Sequence, residues 1–118
     1  MTASELLIEI GIDVSTKGGR ALVYCVEQVA QHPEFADSIV KILYPIAGDY
    51  LGTTDDGVER NMRTAIQRME RSPSWAERLH NFEAAHRCIG LFSADTTQTL
   101  KRFIVRLSYI LNEEEAKS

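Results

Sequence analysis

The stretch IVKILYPIAGDYLGTTDDGVERNMRTAIQRMER (39–71) decides the fold. Its first half carries Ile39, Ile42, Leu43 and Ile46 at helical spacing, and Phe35 just upstream continues the pattern. Its second half places Val58, Met62, Ala65, Ile66 and Met69 within one arc of a helix. Gly52-Thr53-Thr54 breaks the two. The spacing predicts one helix over 35–51, kinked or locally opened at Pro45, because proline lacks an N–H and crowds the preceding turn. It predicts a second helix over 55–71, with Thr54 as its N-cap. Helix, short turn and second helix with a polar outer face make the helix-turn-helix pattern.

That polar face is rich in hydrogen-bonding side chains. Arg60, Arg63, Gln67 and Arg71 fall opposite the apolar arc, and Glu59 and Thr64 flank them. Arginine can pair with guanine in the major groove, glutamate can accept from cytosine and glutamine matches adenine. Further arginines suit phosphates. The same face would also serve as an ordinary solvated surface.

Outward from this pair the chain stays helical. A first helix over 3–11 has Thr2 and Glu5 as a capping box and Gly11 as a stop. A second, over 17–31, carries the stripe Leu22, Val23, Val26, Val29 and Ala30. A fifth starts at Ser74, where Ser74 and Glu77 have capping-box spacing, and ends at Gly90 and the loop to Asp95. It places Trp75, Leu79 and Phe82 on one face. A sixth starts at Asp95 or Thr96, with Gln98 bonding back to the cap. It runs to about 113 through Leu100, Phe103, Ile104, Leu107, Ile110 and Leu111, and the glutamates 113–115 read as a frayed, exposed tail. Strand signals are weak. The expected fold is all-α, a compact array of six helices in a single domain over 1–118.

Composition narrows the function. The 118 residues are 44% apolar and 25% charged, the mixture of a water-soluble globular domain. No apolar run reaches the roughly 20 residues of a membrane helix, and the N-terminus lacks a signal-peptide pattern. Cys25 and Cys88 stand alone, which reads as buried thiols in a reducing cytoplasm. The net charge of −4 argues against long-range steering toward nucleic acid. It is unevenly spread. Residues 1–53 carry 3 basic and 7 acidic side chains, 54–87 carry 6 of each, and 88–118 carry 4 of each. The acidic excess therefore belongs to the first half.

Other constellations are weak. His80, Glu83 and His86 do not share one helical face, so they read as surface and boundary groups and no metal site is expected. Gly18-Gly19 lacks the length and the Lys-Ser/Thr ending of a phosphate loop and reads as a tight helix start. Lys101, Arg102 and Arg106 read as a solvated face that could also meet phosphate or a second copy. No activated nucleophile or acid–base set appears, so neither enzyme activity nor a cofactor is expected.

Three segments carry a resemblance: LLIEIGIDVSTKGGRALVYCVEQV (6–29), IVKILYPIAGDYLGTT (39–54) and VERNMRTAIQ (58–67). In order and spacing they resemble the C-terminal effector domain of the stage zero sporulation master response regulator of spore-forming Firmicutes. The resemblance implies six helices, a helix-turn-helix in the third and fourth, and tandem copies or a homodimer on double-stranded DNA at TGTCGAA-like boxes. It implies base and backbone contacts at Glu59 and Arg60 and a further DNA contact at Arg63. This chain departs from that pattern in three places. Gly57 stands where the family has a base-reading arginine, and Thr64 where it has a histidine. Asp55 and Asp56 stand where it has small or hydroxyl residues. The chain begins at the effector domain, so it is expected to act without a receiver domain's aspartyl-phosphate switch, alone or beside a full-length regulator.

The expectation is a sequence-specific transcription regulator with helix 55–71 in the major groove. Glu59 would read bases, Arg60 and Arg63 would meet bases or phosphates, and Gln67 would add a contact. Thr64 borders that surface, and Arg71 and Thr54 are phosphate candidates. The alternative is a protein-interaction or dimerisation module that has lost or altered operator binding, favoured by Asp55, Asp56 and Gly57.

Overall fold

The computed structural model describes residues 1–88 and 96–117, apart from the side chains of 96–99. Six α-helices form: α1 (Ala3–Ile10), α2 (Lys17–Gln31), α3 (Tyr44–Leu51), α4 (Asp55–Glu70), α5 (Trp75–His86) and α6 (Thr96–Lys117). A 3-10 turn (Pro33–Asp37) and a π turn (Ile39–Leu43) join α2 to α3. Among the described residues there is no strand, and no helix is long and apolar enough to cross a membrane.

Local chemistry sets the first boundaries as the sequence predicts. Thr2 Oγ1 accepts from the Glu5 N–H at 3.1 Å, and Glu5 Oε1 accepts from the Thr2 N–H at 3.2 Å. Gly11, at φ 105°, closes α1 in the left-handed region that suits glycine. Asp13 Oδ1 accepts from the Ser15 N–H and hydroxyl at 3.0 and 2.6 Å. Those bonds hold its carboxyl below the ordinary range. Thr16 then caps α2 through the Gly19 N–H.

The central element is α2. It packs against α4 on one side and α6 on another, and also touches α1, α3 and the 3-10 turn. Leu22, Cys25, Val26 and Val29 are its buried stripe, while Val23 and Ala30 are partly buried. Its first turn comes very close to other backbone. A Cβ on Gly18 would lie 2.0 Å from the Asn61 carbonyl oxygen of α4, and one on Gly19 would lie 2.0 Å from the Asp13 carbonyl oxygen. The glycine pair is therefore a packing requirement as well as a helix start.

The helix expected over 35–51 is divided. Pro45 has no N–H to give, and its ring crowds the turn before it. That turn widens: the Leu43 N–H donates to the Ser38 carbonyl at 3.2 Å, and the Tyr44 N–H donates to Ile39 five residues back. The opened turn expected at Pro45 is this π turn. Ile39, Leu43, Tyr44 and Ala47 take the core positions, and Ile42 and Ile46 are exposed.

Two boundaries near α5 differ from the sequence expectation. Ser74 does not cap, because its hydroxyl meets Ser72 Oγ and accepts from Arg78 Nε, each at 3.1 Å. The helix stops at His86 with Arg87 in the left-handed region at φ 54°, ahead of Gly90. Gly90, Asp95 and the Gln98 side chain lie outside the described residues.

The C-terminal end is also more ordered than a frayed tail. His86 lies between Glu9 Oε1 (2.9 Å from Nε2) and Glu114 Oε1 (3.1 Å from Nδ1), with a side chain 6% exposed. This imidazole ties α1, α5 and α6 together. His86 is of intermediate exposure, as a boundary histidine is, but the frayed-tail reading of Glu114 is corrected. Both partners are far from His86 in the chain, so helical periodicity could not reveal them.

Two outcomes are expected. Gly18→Ala should remove about 3 kcal/mol or more of stability in urea unfolding, because its Cβ would clash with backbone. Gly52→Ala, at φ 72° with open space around it, should cost only about 1 kcal/mol. Burial pushes the Cys25 thiol from 9.0 up to about 12. A raised folded value favours the protonated fold, so this contribution is intact below pH 9 and lost as pH rises toward 12. Iodoacetamide at pH 8 should leave Cys25 unmodified in buffer and alkylate it in urea.

Candidate nucleic-acid interface

The helix-turn-helix consists of α3, the turn Gly52-Thr53-Thr54 and α4. Gly52, at φ 72°, ends α3 with its N–H on the Gly48 carbonyl, and the Thr53 N–H donates to the same carbonyl at 2.8 Å. Gly48 makes this tight return possible, since a Cβ there would lie 2.7 Å from the Thr53 carbonyl oxygen. Thr54 Oγ1 accepts from the Gly57 N–H at 3.0 Å and starts α4. Thr54 is thus the predicted cap, and its oxygen is engaged in that work.

α4 buries the predicted arc: Val58, Met62, Ala65, Ile66 and Met69. The opposite side is open, with Arg60, Thr64, Gln67 and Arg71 all exposed. The Thr64 hydroxyl donates to the Arg60 carbonyl at 3.0 Å, a local back-bond on the helix. Sixteen residues make a rod of about 24 Å, and a helix of this diameter fits the major groove.

Glu59 and Arg63 are placed differently from the other candidates. They form an i,i+4 ion pair with side chains 28% and 36% exposed, at one edge of the open face. Buried Tyr44 lies within electrostatic reach of both. Burial pushes its phenol upward, Cys25 and Glu59 add to the rise, and Arg63 opposes it. The seven sequence candidates therefore separate into an outer row (Arg60, Thr64, Gln67, Arg71), a paired edge (Glu59, Arg63) and a structural cap (Thr54).

Arg68, exposed on α4, was not among the sequence candidates. It lies close enough to Asp13 to help lower that carboxyl. Helical spacing already sets it outside the buried arc of α4, while its closeness to Asp13 shows only with the loop before α2 in place. At the start of α4, Asp55 and Asp56 are exposed and favour the positive end of the helix dipole. Among the described residues no group of three or more His, Cys, Asp or Glu could hold a metal.

The edge pair should contribute little to stability. Glu59→Ala is expected to cost less than about 0.5 kcal/mol in urea unfolding, as partly exposed i,i+4 pairs do. Thr54→Ala should cost about 1 kcal/mol through loss of the cap.

The family model described as "Sporulation initiation factor Spo0A C terminal" matches residues 3–87, from the start of α1 to the residue that closes α5. No curated protein matches the chain.

Proposed function

We propose that this chain, which belongs to the family of Spo0A C-terminal domains, binds a specific duplex by laying α4 in its major groove. The family assignment makes it a sporulation-related DNA-binding transcription-regulator domain. The observation that carries the finer reading is the open row Arg60, Thr64, Gln67 and Arg71, directly opposite the buried arc of the same helix. Such a rod can enter the groove without disturbing the core.

Roles follow from chemistry. Arg60 begins the row and suits a bidentate contact to guanine, and Gln67 suits adenine. Arg71, one turn further on, suits a phosphate. Arg63 is already oriented by Glu59, so the pair can present a guanidinium to a base or phosphate while the free carboxylate oxygen accepts from cytosine. A box such as TGTCGAA contains all three base types.

The departures at the start of α4 shift this pattern. Gly57 offers no side chain to a base, and a Cβ there would lie 2.4 Å from Thr53 Oγ1 unless that hydroxyl turned away. Asp55 and Asp56 repel a phosphate at a helix end that otherwise attracts anions. Contacts therefore concentrate on the second to fourth turns of α4. The same three residues favour a second reading, in which the fold binds a protein, such as a full-length regulator's effector domain, in place of DNA.

Fluorescence anisotropy on duplexes with the TGTCGAA box and with a shuffled box separates the readings. DNA binding predicts tighter association with the box and affinity that falls steeply with salt. Arg60→Ala and Arg63→Ala should each weaken box binding about tenfold. Equal affinity for both duplexes at low and physiological salt would overturn operator recognition. Unchanged binding in both variants would overturn the role of α4.

A further inference from the structure

A second basic feature borders α4 on its α2 side. A groove of 320 Å³ runs between the start of α2 and the helix-turn-helix turn, lined by Lys17, Arg20, Tyr50, Thr53 and Asn61 among others. None of its lining residues is acidic. Lys17 and Arg20 are exposed, one helical turn apart, and neither forms an ion pair among the described residues.

Their placement runs against the preferences of an isolated helix. The N-terminal end of a helix is positive and favours acidic side chains, as Asp55 and Asp56 of α4 illustrate. The first turn of α2 has no acidic residue, and Lys17 is its first residue. Like charges one turn apart repel each other as well. A bound anion removes both penalties. The groove also carries neutral donors: the Thr53 hydroxyl, the Asn61 amide and the Tyr50 phenol. Tyr50 is 70% exposed yet held in place by stacking on Tyr24, with ring centroids 4.4 Å apart and planes 16° apart.

We propose that this groove is a phosphodiester clamp in which Lys17 and Arg20 grip the DNA strand flanking α4. The proposal rests on the major-groove reading above. A helix in the major groove has a sugar–phosphate strand on either side, and the groove lies on the flank formed by α2 and the turn. Contacts of this kind fix the register and orientation of the reading helix without selecting sequence.

The test is anisotropy over a salt series with Lys17→Gln and Arg20→Gln, on the box duplex and the shuffled duplex. Each variant should weaken binding to both duplexes by the same factor, about threefold to tenfold, and reduce the slope of log affinity against log salt by about 0.9. Arg60→Ala should instead change the ratio between the duplexes. Lys17→Gln should melt no lower than the parent, because it removes a cation from the positive end of a helix, so weakened binding will not reflect unfolding. Parental affinity and slope in both variants, with Arg60→Ala still impaired, would overturn the clamp and leave the α4 reading standing. A parent chain that binds neither duplex would overturn both. An NMR titration with inorganic phosphate alone should give no saturable shift at Lys17 and Arg20. Saturation there would make the groove a free-anion site and overturn the duplex contact.

Discussion

The arrangement depends on one close approach, in which the backbone of α2 at Gly18 lies against the Asn61 carbonyl of α4. No side chain larger than hydrogen fits between them. The contact sets how deeply α4 sits, and so how much of it stays open on the far side. It also carries α2 along the flank of α4, bringing Lys17 and Arg20 beside the turn. The neighbouring Gly19 fits the same helix start against the 13–14 loop, which Asp13 holds through Ser15. Gly48 performs a similar task inside the helix-turn-helix. α4 is thus positioned by glycines on other elements, while its own residues divide between core and surface.

The electrostatics are local. The acidic excess belongs to residues 1–53, yet that segment also contributes the two cations of the groove. On α4 the exposed aspartates lie in the first turn, and the arginines all lie beyond it. An ion pair at the edge, Glu59 with Arg63, offers donors and acceptors without a large net field.

Much of the fold was legible because short-range rules govern it. The capping box at Thr2, the Thr54 cap, the span 17–31 and the buried arc of α4 follow from spacings within a few residues. Pro45 announced a disturbance, although the carbonyl that each N–H would choose became clear only with the backbone in place. Ser74 misled because two nearby side chains compete for its hydroxyl. Glu114 misled, and the partners of His86 stayed hidden, because these contacts join different helices. At the candidate site the residue types were readable. The division among an outer row, a paired edge and a cap was not, because it depends on how α3 and α2 sit against α4.

The His86 tie has a consequence for how the domain opens. One imidazole bridges carboxylates near opposite ends of the chain, on α1 and α6. Neither terminal helix can peel away without stranding a nearly buried ring, and α2 lies packed against both of them. Ends of small helical domains commonly fray independently of the centre. Here α1 and α6 share one imidazole, so loosening either end also removes a partner from the ring that holds the other.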